Sequence, residues 1–308
     1  MICFQKNSFN YNYLSALKIA TDPLRQVENS RVGPVLNLGQ AYFEIGPDDP
    51  RLIFLNSRKL NPIFAIVEGV WILQGDNRLI PLQNEISDFA KFSDDGETLA
   101  GAYGYRLRSK FDIDQIDTAI EVLKKDPASR RVVLNMYSVD DLSAISKDVP
   151  CNTSMFLKIV NGALDLTVIN RSNDLYLGLP YNVFVFGLLQ RHLAEKLCVP
   201  LGLQHHFTDC LHLYQRDVER AKAVVACNSL DDVDLISSRF SWDYSRDILC
   251  NIEKIENCVY DNMEGDLGHF MSNFCKNGRQ EKKKRNSAYD FPPNFFGFLA
   301  KQWLAPAD

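Results

Sequence analysis

Residues 63–73 read IFAIVEGVWIL, apolar on every side of a helix, and QGDN follows with a stop signal at Gly75. A helix that is apolar all round has no face to offer to water, so it has to lie inside a core with neighbours on every side. A second stretch of this kind, NVFVFGLLQRHLAEKL at 182–197, reads as a core helix starting near Asn182. The chain has 308 residues, 46% of them hydrophobic, which supplies such a core in one large domain or two modest ones. One residue breaks the first helix pattern, Glu68 at its middle. A buried carboxylate is paired, protonated or turned to a polar cavity; turning outward to solvent is the alternative.

The remaining segments mix both periodicities. DQIDTAIEVLKK at 114–125 places Ile116, Ile120 and Leu123 at helical spacing, with Asp at its start and lysines at its end as the helix dipole favours. DPASRRVVLNMYS then turns into a strand-like run, so Arg130 and Arg131 stand at the mouth of a strand on opposite faces. In isolation they read as a solvated pair. Strand-like runs flank Asn161-Gly162, a two-residue hairpin turn that needs positive φ, and HHFTDCLHLYQRDVERAKAVV holds a strand and then a helix. The expected class is α+β, a mostly antiparallel sheet packed by long buried helices.

Composition excludes several functions. The net charge of -5 gives no global basis for nucleic-acid binding, and the basic run RQEKKKR at 279–285 reads as a solvated loop. Eight cysteines are scattered with no C-x-x-C pair and no zinc spacing, so they read as reduced thiols and no metal is expected. The first residues lack a basic then apolar leader pattern, and no run approaches eighteen apolar residues. The expectation is a cytoplasmic protein without a membrane span.

In DVPCNTSMF, residues 148–156, Cys151 has no second cysteine within forty residues on either side. Alone it reads as a small buried hydrophobe. Its company alters that. Arg171 and Ser172 suit a phosphate, through a forked pair of guanidinium donors and a hydroxyl. Asn182 carries an amide that donates and accepts at once, as one edge of a pyrimidine requires. Thiol, phosphate donors and base-reading amide together imply a nucleotide enzyme.

From about Arg31 to Tyr214 the chain resembles the thymidylate synthase and pyrimidine hydroxymethylase superfamily. The resemblance rests on SRR (129–131), PCN (150–152), RSND (171–174), LGLPYN (177–182) and HLY (212–214), with weaker matches in NSRVG (29–33) and EGVWILQGDN (68–77). It implies a single catalytic domain over 1–308, with a divergent C-terminal segment at about 260–308. Cys151 would be the nucleophile adding to C6 of the pyrimidine, so that C5 can attack the carbon of 5,10-methylenetetrahydrofolate. Arg31, Arg171 and Ser172 would hold the 5′-phosphate. Arg130 and Arg131 would reach the site of a partner subunit, which implies a homodimer. The arginines would also lower the Cys151 pKa. Glu68 would be the general acid/base and Tyr103 would support proton removal from C5. His212 and Tyr214 would bind the sugar 3′-hydroxyl, Asn182 would read uracil, and Asp174, Phe89, Phe92 and Gly178 would face the folate.

Several positions depart from the family's synthases. Asn152 follows the nucleophile where His is common, Asn170 precedes Arg171 where Gln is usual, and DCLHLY replaces an Asp-x-His pattern. Phe89 and Phe92 fall where the folate wall has tryptophans, and the chain ends KQWLAPAD without the apolar terminal residue that closes those enzymes. A looser wall lets water add to the transferred carbon in place of hydride. CNT, RSND and LHLY also resemble strings in phage hydroxymethylases. The expected reaction is therefore 5-hydroxymethylation of dUMP. Reductive methylation to dTMP, hydroxymethylation of UMP, CMP or dCMP, and a catalytically silent nucleotide- or partner-binding homologue are the alternatives.

Overall fold

The sequence assembles around one sheet and the two apolar helices laid on it. The computed structural model describes residues 1–5, 8–257, 259–260, 263, 265–278 and 297–299. The basic run 279–285, the terminal KQWLAPAD and Cys258 lie outside the described residues.

The strands are β1 (Ile2–Phe4), β2 (Val27–Ser30), β3 (Gly33–Ile45), β4 (Val133–Asn135), β5 (Asn152–Val160), β6 (Ala163–Asn170), β7 (Asn173–Asp174) and β8 (Leu201–Tyr214). They pair in the order β1-β3-β8-β6-β5-β4, with β2 on β3 and β7 on β8. β2, β8 and β3 pair antiparallel, as do β4, β5 and β6, whereas β1 on β3, β6 on β8 and β7 on β8 are parallel. The sheet is thus mixed and mostly antiparallel, as expected, with parallel pairing added at three junctions. Between β6 and β8 the cause is the helical crossover, since a strand returning through a helix can lie parallel to the one it left. The hairpin at Asn161-Gly162 forms as expected, both residues having positive φ of 51° and 79°.

Helix α1 spans Phe9–Ala20 and α2 spans Pro62–Leu73. Asn61 caps α2, its side chain accepting from the N–H groups of Ile63 and Phe64, and Pro62 occupies the first turn, where no N–H is needed. Gly75 leaves the helix at φ 71°. The short α3 (Ile80–Gln83), α4 (Tyr103–Arg108) and α5 (Gln115–Lys125, capped by Asp114) follow. The long core helix α6 covers Leu179–Leu197, one turn earlier than Asn182, because Pro180 is accommodated in its first turn. α7 (Val218–Ala226) follows β8 after a short 3₁₀ turn.

Every α2 residue except Glu68 is buried, and α2 crosses α6 closely: a Cβ on Gly69 would stand 2.9 Å from Leu188 Cδ2. α4 comes closer still, since a Cβ on Gly104 would strike the Ile72 backbone. The sheet buries one face beneath these helices. On the other, the registered row Glu44, His205, Thr167, Phe156 and Val133 stays half-buried to exposed, with Phe156 at 42% and Val133 at 41%.

Gly104→Ala has no room against backbone and is expected to lower stability by about 1–3 kcal/mol, read as a drop in the thermal unfolding midpoint; an unchanged midpoint would contradict the tight α2–α4 approach.

Candidate functional site

The fold carries Cys151 to the mouth of β5, immediately after Pro150. Arg171, just past β6, holds that loop. Its backbone N–H donates to Cys151 O at 2.9 Å, Nε to Pro150 O at 2.9 Å and Nη2 to Val149 O at 3.0 Å. Arg31, exposed in the β2–β3 turn, donates from Nη2 to Lys147 O at 3.4 Å. Both guanidiniums therefore lean on the 147–150 segment and keep further donors for an anion. Ser172 Oγ stands 3.4 Å from His212 Nδ1, and the His212 ring meets Tyr214 edge-on at 5.0 Å. Arg216 lies over the Tyr214 ring at 4.0 Å. The structure thus brings Arg31, Arg171, Ser172, His212 and Tyr214 to one end of the sheet around the thiol.

The arginines act on the thiol in the expected direction, but burial outweighs them. Burial pushes the Cys151 pKa up; Arg171 pulls it down, Asp148 raises it, and Arg31 pulls down more weakly. Loss of hydration outweighs two guanidiniums that are themselves in water and already bonded to carbonyls. The resting thiol is protonated, and Asp148, three residues upstream, is part of the reason.

Glu68 is half-buried as a residue, yet its Oε2 is buried and has no hydrogen-bond partner among the described residues. Burial raises its pKa to about 8. A carboxyl group kept neutral near pH 7 can give and retake a proton, the property a general acid/base needs. Tyr103 opens α4, its ring 5.7 Å from Phe186. Burial and the nearby Cys151 raise the Tyr103 phenol, while the amides of Asn152 act in the opposite sense. Asp148 links these pieces: its Oδ2 accepts from Gly101 N–H at 2.7 Å, tying the loop before Tyr103 to the loop before Cys151.

Asn182 sits within a ladder of amides. Asn152 Nδ2 donates to Asn182 Oδ1 at 3.4 Å, and Asn182 Nδ2 donates to Asn173 Oδ1 at 3.1 Å. In this arrangement Asn182 Oδ1 accepts and Nδ2 donates within the ladder, and each end retains capacity for one more bond. Asp174 Oδ1 accepts from the N–H groups of Tyr176 and Leu177 at 2.8 and 3.1 Å, which shapes the turn into α6; Asp174 Oδ2 makes no hydrogen bond among the described residues. Gly178 belongs to the same turn, where a Cβ would stand 2.8 Å from Asn173 Oδ1.

Phe89 and Phe92 lie in the 3₁₀ turn Ser87–Phe92, with ring centroids 5.5 Å apart and Phe89 against Phe64 at 5.2 Å. They form an aromatic rim with Phe92 38% exposed, a surface that suits a flat heterocycle. Arg130 and Arg131 are exposed, pair with nothing among the described residues and do not join the Cys151 cluster within one chain. A cleft of about 250 Å³ runs past Asp148 and Val149, but its buried Arg106 is already neutralised by Asp141 at 2.7 Å. Among the described residues no group of three His, Cys, Asp or Glu side chains could hold a metal, and no helix is long and apolar enough to cross a membrane.

Sequence reading did not single out Asn173, Thr208 or Asp148, whereas Asn170 stood out as a departure from the family's synthases. Asn173 lies inside the RSND string, and Asp148 three residues before the thiol; nothing local in the sequence marks Thr208.

Residues 27–240 match the family model described as thymidylate synthase, and the chain belongs to that family. Among curated relatives, a deoxyuridylate hydroxymethyltransferase of Pseudomonas phage M6 is 37% identical over 192 residues, covering 61% of this chain and 54% of the relative. A deoxyuridylate hydroxymethyltransferase of Bacillus phage SP01 is 36% identical over 180 residues, covering 54% of this chain and 47% of the relative. The chain thus spans about half the length of the curated relatives it matches.

A Glu68 pKa raised above its unfolded value means that the native state holds the proton more tightly, so stability falls as pH rises from the unfolded pKa toward about 8. Glu68→Gln is expected to flatten this decline and to gain on the order of 2 kcal/mol at pH 8, measured by urea unfolding at pH 5 and pH 8. A parallel decline in the variant would show that Glu68 is not the group responsible.

Proposed function

We propose that this chain transfers a one-carbon unit to C5 of dUMP and releases 5-hydroxymethyl-dUMP. The observation that carries this reading is the polarity of the amide ladder beside the thiol. With Asn152 feeding Asn182 Oδ1 and Asn182 Nδ2 directed to Asn173, the free capacity of Asn182 matches the N3–H donor and O4 acceptor of uracil. Cys151 adds to C6, which makes C5 nucleophilic. Arg31, Arg171 and Ser172 hold the phosphate, and His212 with Tyr214 holds the sugar. 5,10-Methylenetetrahydrofolate supplies the carbon, with Phe89, Phe92, Asp174 and Gly178 at its rim. Glu68 exchanges protons at the O4 side and Tyr103 assists at C5. Hydroxymethylation is favoured over methylation by the partly exposed aromatic rim, and by the similarity to two phage deoxyuridylate hydroxymethyltransferases.

The same reading makes the protein a homodimer. The half-exposed sheet face carries Phe156 and Val133 in a row suited to pairing with a second copy, and Arg130 and Arg131 project without partners beside it.

Protein incubated with dUMP and methylenetetrahydrofolate should give 5-hydroxymethyl-dUMP by mass and tetrahydrofolate by absorbance; dTMP with dihydrofolate would overturn the reading. Cys151→Ala should abolish transfer by at least about a thousandfold, and Asn182→Asp should shift preference toward cytosine nucleotides. Mixing Cys151→Ala with an Arg130→Ala/Arg131→Ala double variant, each inactive alone, should restore about a quarter of wild-type activity through composite sites; no restoration would argue against shared arginines.

A further inference from the structure

Three strands bring three buried polar side chains into one row beneath the proposed site. Asn152 of β5 registers with Asn170 of β6, and Asn170 registers with Thr208 of β8. All three are fully buried, at 0% exposure, on the helix-covered face. Each leaves one polar atom without a partner among the described residues: Asn152 Oδ1, Asn170 Oδ1 and Thr208 Oγ1. Asn170 is oriented by its Nδ2 donating to the backbone carbonyl of Phe207 at 3.4 Å, and Asn152 Nδ2 donates to Asn182.

Three unmet polar atoms at adjacent positions are unfavourable in a core. Registered side chains on neighbouring strands start about 5 Å apart, a span that a water bridges with two bonds of about 2.8 Å. One water between Asn152 and Asn170 would donate to both amide oxygens, and a second between Asn170 and Thr208 would accept from the Thr208 hydroxyl and donate to the first. The first water would keep one lone pair unengaged.

The geometry points to the row Asn152, Asn170 and Thr208 as the site that holds the water which becomes the hydroxyl of the product. This inference rests on the proposed hydroxymethylation. Under that reading Cys151 is bonded to C6 and Asn182 reads O4, so C5 lies between them along the ring edge. Asn152 follows Cys151 in sequence and hydrogen-bonds Asn182, so it spans the same edge. Once the folate has left, the carbon on C5 is an exocyclic methylene. The water oxygen bonds to that carbon, and the C5=CH₂ electron pair moves into the ring as an enolate. The enolate then re-forms the C5=C6 bond as the C6–S bond breaks. The proton lost by the water ends on the released Cys151 sulfur, regenerating the protonated resting thiol. No oxidant or reductant is consumed.

Thr208→Val keeps the shape and removes the hydroxyl. With 5-tritiated dUMP and methylenetetrahydrofolate, tritium release reports the steps before water adds, and product mass reports water addition. Thr208→Val is expected to lower hydroxymethyl product at least tenfold while tritium release falls less than threefold. Added 2-mercaptoethanol should capture the waiting methylene as a thioether. Thr208→Ser should restore the product, and Asn170→Leu should repeat the split if the valine variant fails to fold. Crystals of wild type with dUMP alone should show ordered waters along Asn152 Oδ1, Asn170 Oδ1 and Thr208 Oγ1, absent from Thr208→Val. Equal falls in tritium release and product, unchanged product, or no such waters would overturn the site. If wild type makes dTMP, the proposed function itself fails, an outcome separate from either.

Discussion

The close crossing of α2 over α6 fixes nearly everything else about the proposed site. With no side chain at Gly69, α2 settles onto Leu188, Phe184 and Val185 of α6, and the two helices share one dry core over the sheet. Glu68 stands on one of these helices and Asn182 on the other. α4 is pressed onto the same helix at Gly104 and delivers Tyr103. A bulkier residue at either glycine would separate groups that chemistry needs within bonding reach.

Burial then does two kinds of work. Around the hydrophobic cluster it supplies stability in proportion to the apolar area removed from water. At the end of the sheet it is spent on groups that would be more stable in water: a neutral Glu68, a raised Cys151 thiol, and buried amide and hydroxyl atoms without protein partners. Such groups persist because the surrounding apolar packing is large enough to hold them. The site is therefore locally less stable than the fold that contains it.

The helices were readable from the chain because their signals are local: Asn61 and Pro62 open α2, Gly75 ends it, and Asp114 opens α5. The hairpin at Asn161-Gly162 was equally plain. The parallel pairing of β6 with β8 was not, since it depends on how a crossover returns rather than on any short pattern. In the proposed site, Cys151, Arg171, Ser172 and Asn182 stand in short strings that the family resemblance marks. Thr208 was illegible for a physical reason: in LQHHFTD polar and apolar residues alternate, which assigns Gln204, His206 and Thr208 to solvent. The structure buries that polar set and leaves Leu203 and Phe207 on the half-exposed face. The net rise of the thiol was illegible because charge is visible in sequence while desolvation is not.

The parallel junction of β6 with β8 also sets when the protein acquires its chemistry. Asn152 and Asn170 meet across a local hairpin, but Asn170 and Thr208 are joined only after α6 has formed and folded back. Contacts of long sequence separation are slow to make because loop closure comes before any reward. The polar row beside Cys151 is therefore completed only when the last strand joins the sheet.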